Sequence, residues 1–114
     1  METATKYKFN QLIFLCMIIL FPSISVAGTT GKIAGIVSDK VTGEQLAGVN
    51  IQIKGTYQGA ASDDNGYYVI LNVDPGTHEL KANMIGYSPV LVTNVRVEID
   101  LTATIDIQLT TEVI

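Results

Sequence analysis

Five turn signals divide the middle of this 114-residue chain into short segments, and their spacing constrains the fold more than any other feature. Within the segments, apolar and polar residues alternate, as they do in strands that bury one face of a sheet. The pattern predicts an all-β sandwich or small barrel, with no helix beyond the N-terminal segment. The turn signals are Thr42–Glu44, Lys54–Thr56, Asp63–Gly66, Asp74–Gly76 and Ile85–Tyr87.

The alternation indicates about seven strands. Val49, Ile51 and Ile53 share one face of a strand whose other face is polar. The segment Tyr67–Val73 is apolar on both faces, which predicts a strand in the centre of a sheet. The predicted strands include segments 33–37, 49–54, 67–73, 77–83, 90–99 and 105–109.

The N-terminus has the pattern of a secretory signal peptide. Lys6 and Lys8 precede an apolar run, Leu12–Leu20, and the small residues Ser25 and Ala27 follow it at the spacing of a cleavage site. We therefore expect residues 1–27 to be removed, which would make Gly28 the first mature residue.

A transmembrane anchor and a lipoprotein are the alternatives. The apolar run falls short of the roughly 20 residues that a spanning helix needs, and Pro22 ends it. Cys16 lies inside the run, whereas a lipid-attachment cysteine would follow it. Both alternatives are therefore less favoured than a cleaved signal peptide.

Residues 28–114 suffice for one small domain, and they contain no cysteine. Because Glu2, Lys6 and Lys8 leave with the signal peptide, the 7 basic and 11 acidic residues become 5 and 10, a net charge of −5. This balance argues against a nucleic-acid or anionic-membrane partner, which would require clustered Lys and Arg.

No set of residues points to catalysis or to a metal. The single histidine, His78, has no cysteine or second histidine with which to form a zinc site. Asp63–Gly66 resembles the start of a calcium loop, but the downstream Glu is missing, and Asn-Gly is typical of a tight turn. Ser38-Asp39 and Ser62-Asp63 lack a nearby histidine for a catalytic triad. We expect no enzyme activity, no metal and no cofactor.

Five motifs in order are similar to the carboxypeptidase regulatory-like domain. They are Gly31–Asp39, Thr42–Ile51 with Lys54–Thr56, Ser62–Ile70, Val73–Leu80 and Ile85–Tyr87. The resemblance covers roughly residues 31–110 and implies a seven-stranded, transthyretin-like (prealbumin-like or Ig-like) β-sandwich, with domain bounds of 28–110.

The motif residues are expected to have structural roles. Gly43 and Gly66 suit turns with positive φ, and Gly55 and Gly86 would let a strand bend or a neighbour approach. Tyr68 and Tyr87 would anchor opposite ends of the core and place their hydroxyls near its rim. The full set of motif positions is Gly35, Asp39, Gly43, Gly48, Gly55, Thr56, Asp63, Gly66, Tyr68, Pro75, Gly76, Gly86 and Tyr87.

In exported bacterial proteins this domain is similar to the N-terminal extension of TonB-dependent, SusC-like outer-membrane receptors. The resemblance implies a non-enzymatic periplasmic domain of a Gram-negative receptor for nutrient, including glycan, uptake. Its partner would be a TonB-type energy-coupling protein or the receptor's own plug and barrel. Residues 111–114 would begin the linker toward the TonB box in a truncated chain, or they would simply finish the last strand.

A free-standing secreted module that binds protein or carbohydrate is the alternative function. A carbohydrate site would call for an exposed aromatic platform, for which Tyr57 and Tyr67 are the candidates.

Overall fold

The computed structural model describes residues 28–113, and the predicted signal peptide, including Cys16, lies outside them, as does Ile114. These residues form eight strands and no helix. The strands are β1 (Gly31–Asp39), β2 (Asn50–Ile53), β3 (Gly59–Ala61), β4 (Tyr67–Val73), β5 (Gly76–Asn83), β6 (Val90–Val97), β7 (Thr102–Thr104) and β8 (Ile107–Leu109).

The strands form two sheets. In the first sheet, β1 pairs with antiparallel β4 on one side and, in succession, with parallel β7 and β8 on the other. The second sheet is antiparallel and has the order β3-β2-β5-β6. The predicted all-β sandwich is therefore confirmed.

The core lies between the two sheets, because every second residue of the longer strands points inward. On β1 the inward positions include Ile33 and Val37, and on β2 they are Ile51 and Ile53. Tyr68 is the largest of the fully buried side chains. The other fully buried side chains are Val49, Ile70, Val73, Leu80, Ala82, Val95, Val97, Ile107 and Leu109.

The chain crosses closely over β1 between β7 and β8. The amide of Ile105 donates to the carbonyl of Ala34 at 2.8 Å, and a Cβ added at Gly35 would overlap the Ile105 carbonyl. Tyr68 lies opposite Gly35 in the register, and its hydroxyl donates to the same carbonyl at 2.6 Å. Glycine at position 35 therefore makes room for this crossing.

The prediction that Tyr67–Val73 is a central strand is wrong. β4 lies at the edge of its sheet, and β1 is the central strand. The residues of β4 that point away from the core are exposed or half-buried, so the second apolar face is an outer surface rather than a second core.

Two short strands and one break in alternation were not predicted. β3 and β7 contain three residues each and carry mostly small or hydroxyl side chains. In β6, Asn94 has a φ of 58°, and the register with β5 shifts at this level. Ile99, expected to continue the inward face, follows the end of β6 and is 48% exposed.

Hydrogen bonding continues beyond Thr110. Thr111 forms a β-bridge with Tyr87, and the amide of Glu112 donates to the carbonyl of Gly86 at 2.9 Å. These contacts join the C-terminal segment to the turn that follows β5.

Candidate functional site

The most extensively bonded carboxylate belongs to Asp39, at the end of β1. Its Oδ1 accepts from the amides of Val41 at 2.8 Å and Thr42 at 3.0 Å, and its Oδ2 accepts from the Tyr87 hydroxyl at 2.9 Å. The amide of Gly43, whose φ of 74° suits glycine, donates to the Asp39 carbonyl at 2.9 Å and closes the turn.

The electrostatics of the hydrogen-bonded pair of Asp39 and Tyr87 favour a structural role. The amides of Thr42 and Val41, and then the Tyr87 hydroxyl, hold the pKa of Asp39 below its ordinary value. The hydrogen bond to Asp39 raises the pKa of Tyr87. At neutral pH an ionised Asp39 therefore accepts a hydrogen bond from a neutral Tyr87, which links the turn after β1 to the turn after β5.

Ser62 and Asp63 organise the loop between β3 and β4. The buried Ser62 hydroxyl donates to the Leu46 carbonyl at 2.6 Å and accepts from the Val49 amide at 2.9 Å. Asp63 Oδ1 accepts from the amides of Asn65 at 2.9 Å and Tyr67 at 3.0 Å. Neither residue has a histidine among these partners, so the contacts form a turn rather than a catalytic pair.

The remaining motif residues also lie in turns. Gly55 and Gly86 have φ angles of 84° and 89°, and a Cβ at either would meet open space, so turn conformation rather than close approach explains them. Gly48 (φ 76°) behaves in the same way. Gly66 (φ 76°) combines a turn with close approach, because an added Cβ would lie 2.6 Å from the Val37 carbonyl oxygen.

Three other motif positions shape chain reversals. Pro75 and Gly76, whose φ is 136°, pass the chain from the first sheet to the second. The Thr56 hydroxyl donates to the Ile53 carbonyl at 2.9 Å and accepts from the Gln58 amide at 3.0 Å, which closes the turn between β2 and β3.

His78 is half-buried on β5, and its Nε2 lies 2.7 Å from the Asp74 carbonyl oxygen, so this nitrogen carries the proton. It borders an open groove of about 500 Å³ with Lys54, Thr77, Glu79 and Asn94. Among residues 28–113, no group of three or more His, Cys, Asp or Glu residues is arranged to hold a metal ion.

The two candidate aromatic residues do not form one platform. Tyr57 is fully exposed, and the neighbouring Gln58 donates through its side chain to the carbonyls of Leu71 and Asn72. Tyr67 begins β4, four residues before Leu71, or roughly 13 Å away along an extended strand. The two rings therefore lie toward opposite ends of β4.

An exposed apolar surface covers the outer side of the first sheet. Ile36 on β1 pairs directly with Tyr67 on β4, and Val69 and Leu71 continue the same side of β4. Ile36, Tyr67 and Leu71 are 39%, 46% and 54% exposed, and Val69 is half-buried. We call these four residues the apolar face.

A carboxylate lies on either side of the apolar face, in the direction across the strands. Asp63 Oδ1 accepts from the Tyr67 amide, and Asp106 Oδ1 accepts from the Ile36 amide at 2.9 Å. The two aspartates therefore lie beside the Ile36–Tyr67 pair, one beyond β4 and one beside β8. The sequence did not reveal this arrangement, because apolar residues on both faces of Tyr67–Val73 indicated a central strand with both of its faces covered.

The outer side of the second sheet is polar and carries charges of both signs. Lys54 pairs with Glu79 at 3.4 Å, and Arg96 with Glu98 at 3.7 Å. Leu91 is its exposed apolar residue on β6, and it lies opposite Lys81. The contrast between the sheets makes the apolar face the candidate interaction surface.

No helix that could cross a membrane occurs in the part of the chain that the structure describes.

Solved structures share this fold. One chain in a type II cohesin–X-dockerin complex from Acetivibrio cellulolyticus matches with a TM-score of 0.58 and 25% identity, over 69% of this chain and 56% of that chain. A minor pilin from Streptococcus agalactiae matches with a TM-score of 0.53 and 19% identity, over 77% and 47%. This chain thus spans little more than half of the cohesin–dockerin chain and less than half of the pilin.

No curated protein matches the sequence. The family model of the carboxypeptidase regulatory-like domain matches residues 32–110, a range that includes all thirteen motif positions. The chain therefore belongs to the carboxypeptidase regulatory-like domain family.

Proposed function

We propose that residues 28–110 form an exported, non-enzymatic interaction domain, the periplasmic N-terminal domain of a TonB-dependent outer-membrane receptor for nutrient, including glycan, uptake. Residues 1–27 act as the cleaved signal peptide, and residues 111–114 begin the linker toward the TonB box. Family membership and the export pattern of the N-terminus support this proposal. The observation that carries it is the apolar face with its flanking carboxylates.

Binding through this face has a physical basis. Contiguous exposed apolar side chains mark interaction sites, since their removal from water yields roughly 25 cal/mol per Å². Ile36 and Tyr67 stand on two paired strands of a rigid sheet, so a partner meets a surface that needs little ordering.

The charges specify the kind of partner. Each flanking carboxylate, on Asp63 and Asp106, uses Oδ1 for a backbone amide, so Oδ2 can face a cation. Lys32 lies on the same side of β1 but four residues from Ile36. A cationic segment of the TonB-type energy-coupling protein, with its alkyl stems on Ile36 and Tyr67, would complement this surface.

The test measures binding of the exported, processed chain to the purified periplasmic part of the energy-coupling protein from the same organism. We expect binding that weakens as salt increases, because its charge component is screened. The double variant I36S/Y67S should bind at least about tenfold more weakly, because it loses the apolar contact.

Leu91→Ser provides the matched control, since Leu91 is at least as exposed as Ile36 and Tyr67 but lies on the outer side of the second sheet. Unfolding in urea checks that both variants remain folded. Equal affinity for the wild-type chain and I36S/Y67S, or a larger loss in L91S, would contradict the assignment of this face.

The receptor context has a separate test. The reading frame that follows codon 114 in the source genome should encode a plug and a barrel if the domain belongs to a receptor. A frame without them would favour the free-standing secreted module, for which binding to glycans and envelope proteins would then be measured. The separation of Tyr57 from Tyr67 weighs against a glycan platform in that alternative.

A further inference from the structure

The Asp100 carboxylate lies against the backbone of Gly28. A Cβ added at Gly28 would overlap Oδ1 of Asp100, so a side chain at this position would displace the carboxylate. Gly28 is also the residue that the cleavage pattern predicts as the mature N-terminus. Two independent observations, one from sequence and one from structure, therefore meet at the same residue.

The contact is held by backbone hydrogen bonds on either side. The amide of Asp100 donates to the Thr30 carbonyl at 3.0 Å, and the amide of Lys32 donates to the Leu101 carbonyl at 3.0 Å. Asp100 has a φ of 60°, a left-handed conformation that Asp tolerates better than most residues. The chain before β1 is thus fixed beside the turn that carries the carboxylate.

We propose that Asp100 binds the α-ammonium group that signal-peptide cleavage creates at Gly28. Water hydrolyses the Ala27–Gly28 peptide bond in the signal peptidase, Ala27 leaves as a carboxylate, and the new Gly28 amine takes up a proton. Its nitrogen is one bond from the Cα that the carboxylate already contacts. The ion pair exists only in the processed protein, and it holds the segment that precedes β1 against the turn that carries Asp100.

The charged groups around this site are few. Lys32 lines the same groove as Asp100, and Glu98 lies two residues before Asp100. The ion pairs among residues 28–113 are Lys54–Glu79 and Arg96–Glu98, and neither includes Asp100. A cation at Gly28 would therefore gain its principal counter-charge from Asp100.

The pH dependence has a definite sign. An α-amino group ordinarily has a pKa of about 7.7–8.0, and a nearby carboxylate raises it because it favours the charged form. The stabilisation is then complete below about pH 7.7 and is lost as the pH rises through the raised pKa.

The test rests on the export and cleavage included in the proposed function, so the full chain is exported in bacteria and its processed N-terminus is sequenced. The pKa of the Gly28 amine is then measured by NMR from the shifts of its Cα and Hα. We expect a pKa about 0.5 to 1 above the ordinary range, and a return to that range in D100N.

Asn tolerates the left-handed conformation, so D100N removes charge with little backbone strain. Asp64→Asn, at an exposed turn position, is the matched control and should leave the amine pKa raised. An ordinary amine pKa in the wild-type chain, the same pKa in D100N, or processing at another bond would overturn the inference while leaving the binding test of the apolar face unaffected. Failure of export would overturn both proposals.

Discussion

At Asp39, one carboxylate joins a turn of the first sheet to a turn of the second. Replacement by Asn removes the charge and turns an acceptor into a donor toward the Tyr87 hydroxyl or the amides of Val41 and Thr42. We expect D39N to be less stable than the wild-type chain at pH 7 in urea unfolding.

The pH dependence of this loss follows from the lowered pKa of Asp39. The carboxylate contributes stability above its ordinary value of 3.8, and the contribution is lost as the pH falls through the lower pKa of the folded state. The difference between D39N and wild type should therefore shrink below about pH 4. A difference that stays constant down to pH 2 would show that charge is not its cause.

Alanine substitutions at three glycines distinguish the cost of backbone strain from the cost of steric crowding. Gly43 has positive φ in open space, Gly35 is crowded by the Ile105 carbonyl, and Gly66 is both strained and crowded. We expect G43A to cost about 1 kcal/mol and G35A about 1–3 kcal/mol, with G66A the most destabilising. Urea unfolding of the three variants checks this order, and a G43A loss equal to that of G66A would contradict it.

These positions also show what sequence can predict at the residue scale. Asn65-Gly66 after two aspartates specifies a turn with positive φ from local chemistry alone. The crowding at Gly35 depends on Ile105, seventy residues later, and the contact between Gly28 and Asp100 depends on a similarly distant turn. No local pattern contains such information.

At the scale of elements, Ser62 ties a loop to the edge of the second sheet. Its hydroxyl bonds the Leu46 carbonyl and the Val49 amide in a buried position. Ser62→Ala leaves both groups without this partner and should cost about 1–3 kcal/mol in urea unfolding. Ser88→Ala, at an exposed position, is the control, and a similar loss in both variants would contradict this role.

The longer strands were predictable because apolar and polar residues alternate in them over several successive pairs of residues. Alternation assigns two faces to a strand, but it does not say which partners cover them. For this reason β4, with apolar residues on both faces, was placed in the centre of a sheet although it forms an edge. The candidate interaction surface was hidden by the same ambiguity, and β3 and β7 are too short to show a period.

For the whole molecule, β1 is the strand on which distant parts of the chain converge. It pairs with β4 from the middle of the chain and with β7 and β8 from its end. Closing the long loops between these segments costs entropy before their contacts form, so refolding should take milliseconds to seconds.

The far-UV circular dichroism of the processed chain should show β-structure with negligible helix, and a helical spectrum would contradict the sandwich.

The last strand should therefore be essential although it contains three residues. A chain that ends at Thr104 lacks β8 and with it Ile107 and Leu109, which fill the core, as well as the Ile105 carbonyl that accepts the Tyr68 hydroxyl. Each large apolar side chain lost from a core costs about 2–5 kcal/mol, against a total stability of about 5–15 kcal/mol. We expect this chain to be unfolded at 25 °C by NMR and circular dichroism.

A chain that ends at Thr111 is the matched comparison, because it keeps β8 and the backbone bond from Ser88 to Thr110 and loses the bond from Glu112 to Gly86, one of the two bonds that form the bridge between Tyr87 and Thr111. It should remain folded, with a loss of about 1 kcal/mol. If the chain that ends at Thr104 folded equally well, β1 would not need β8 as a parallel partner, and the pairing of distant segments with β1 would not be what holds the first sheet together.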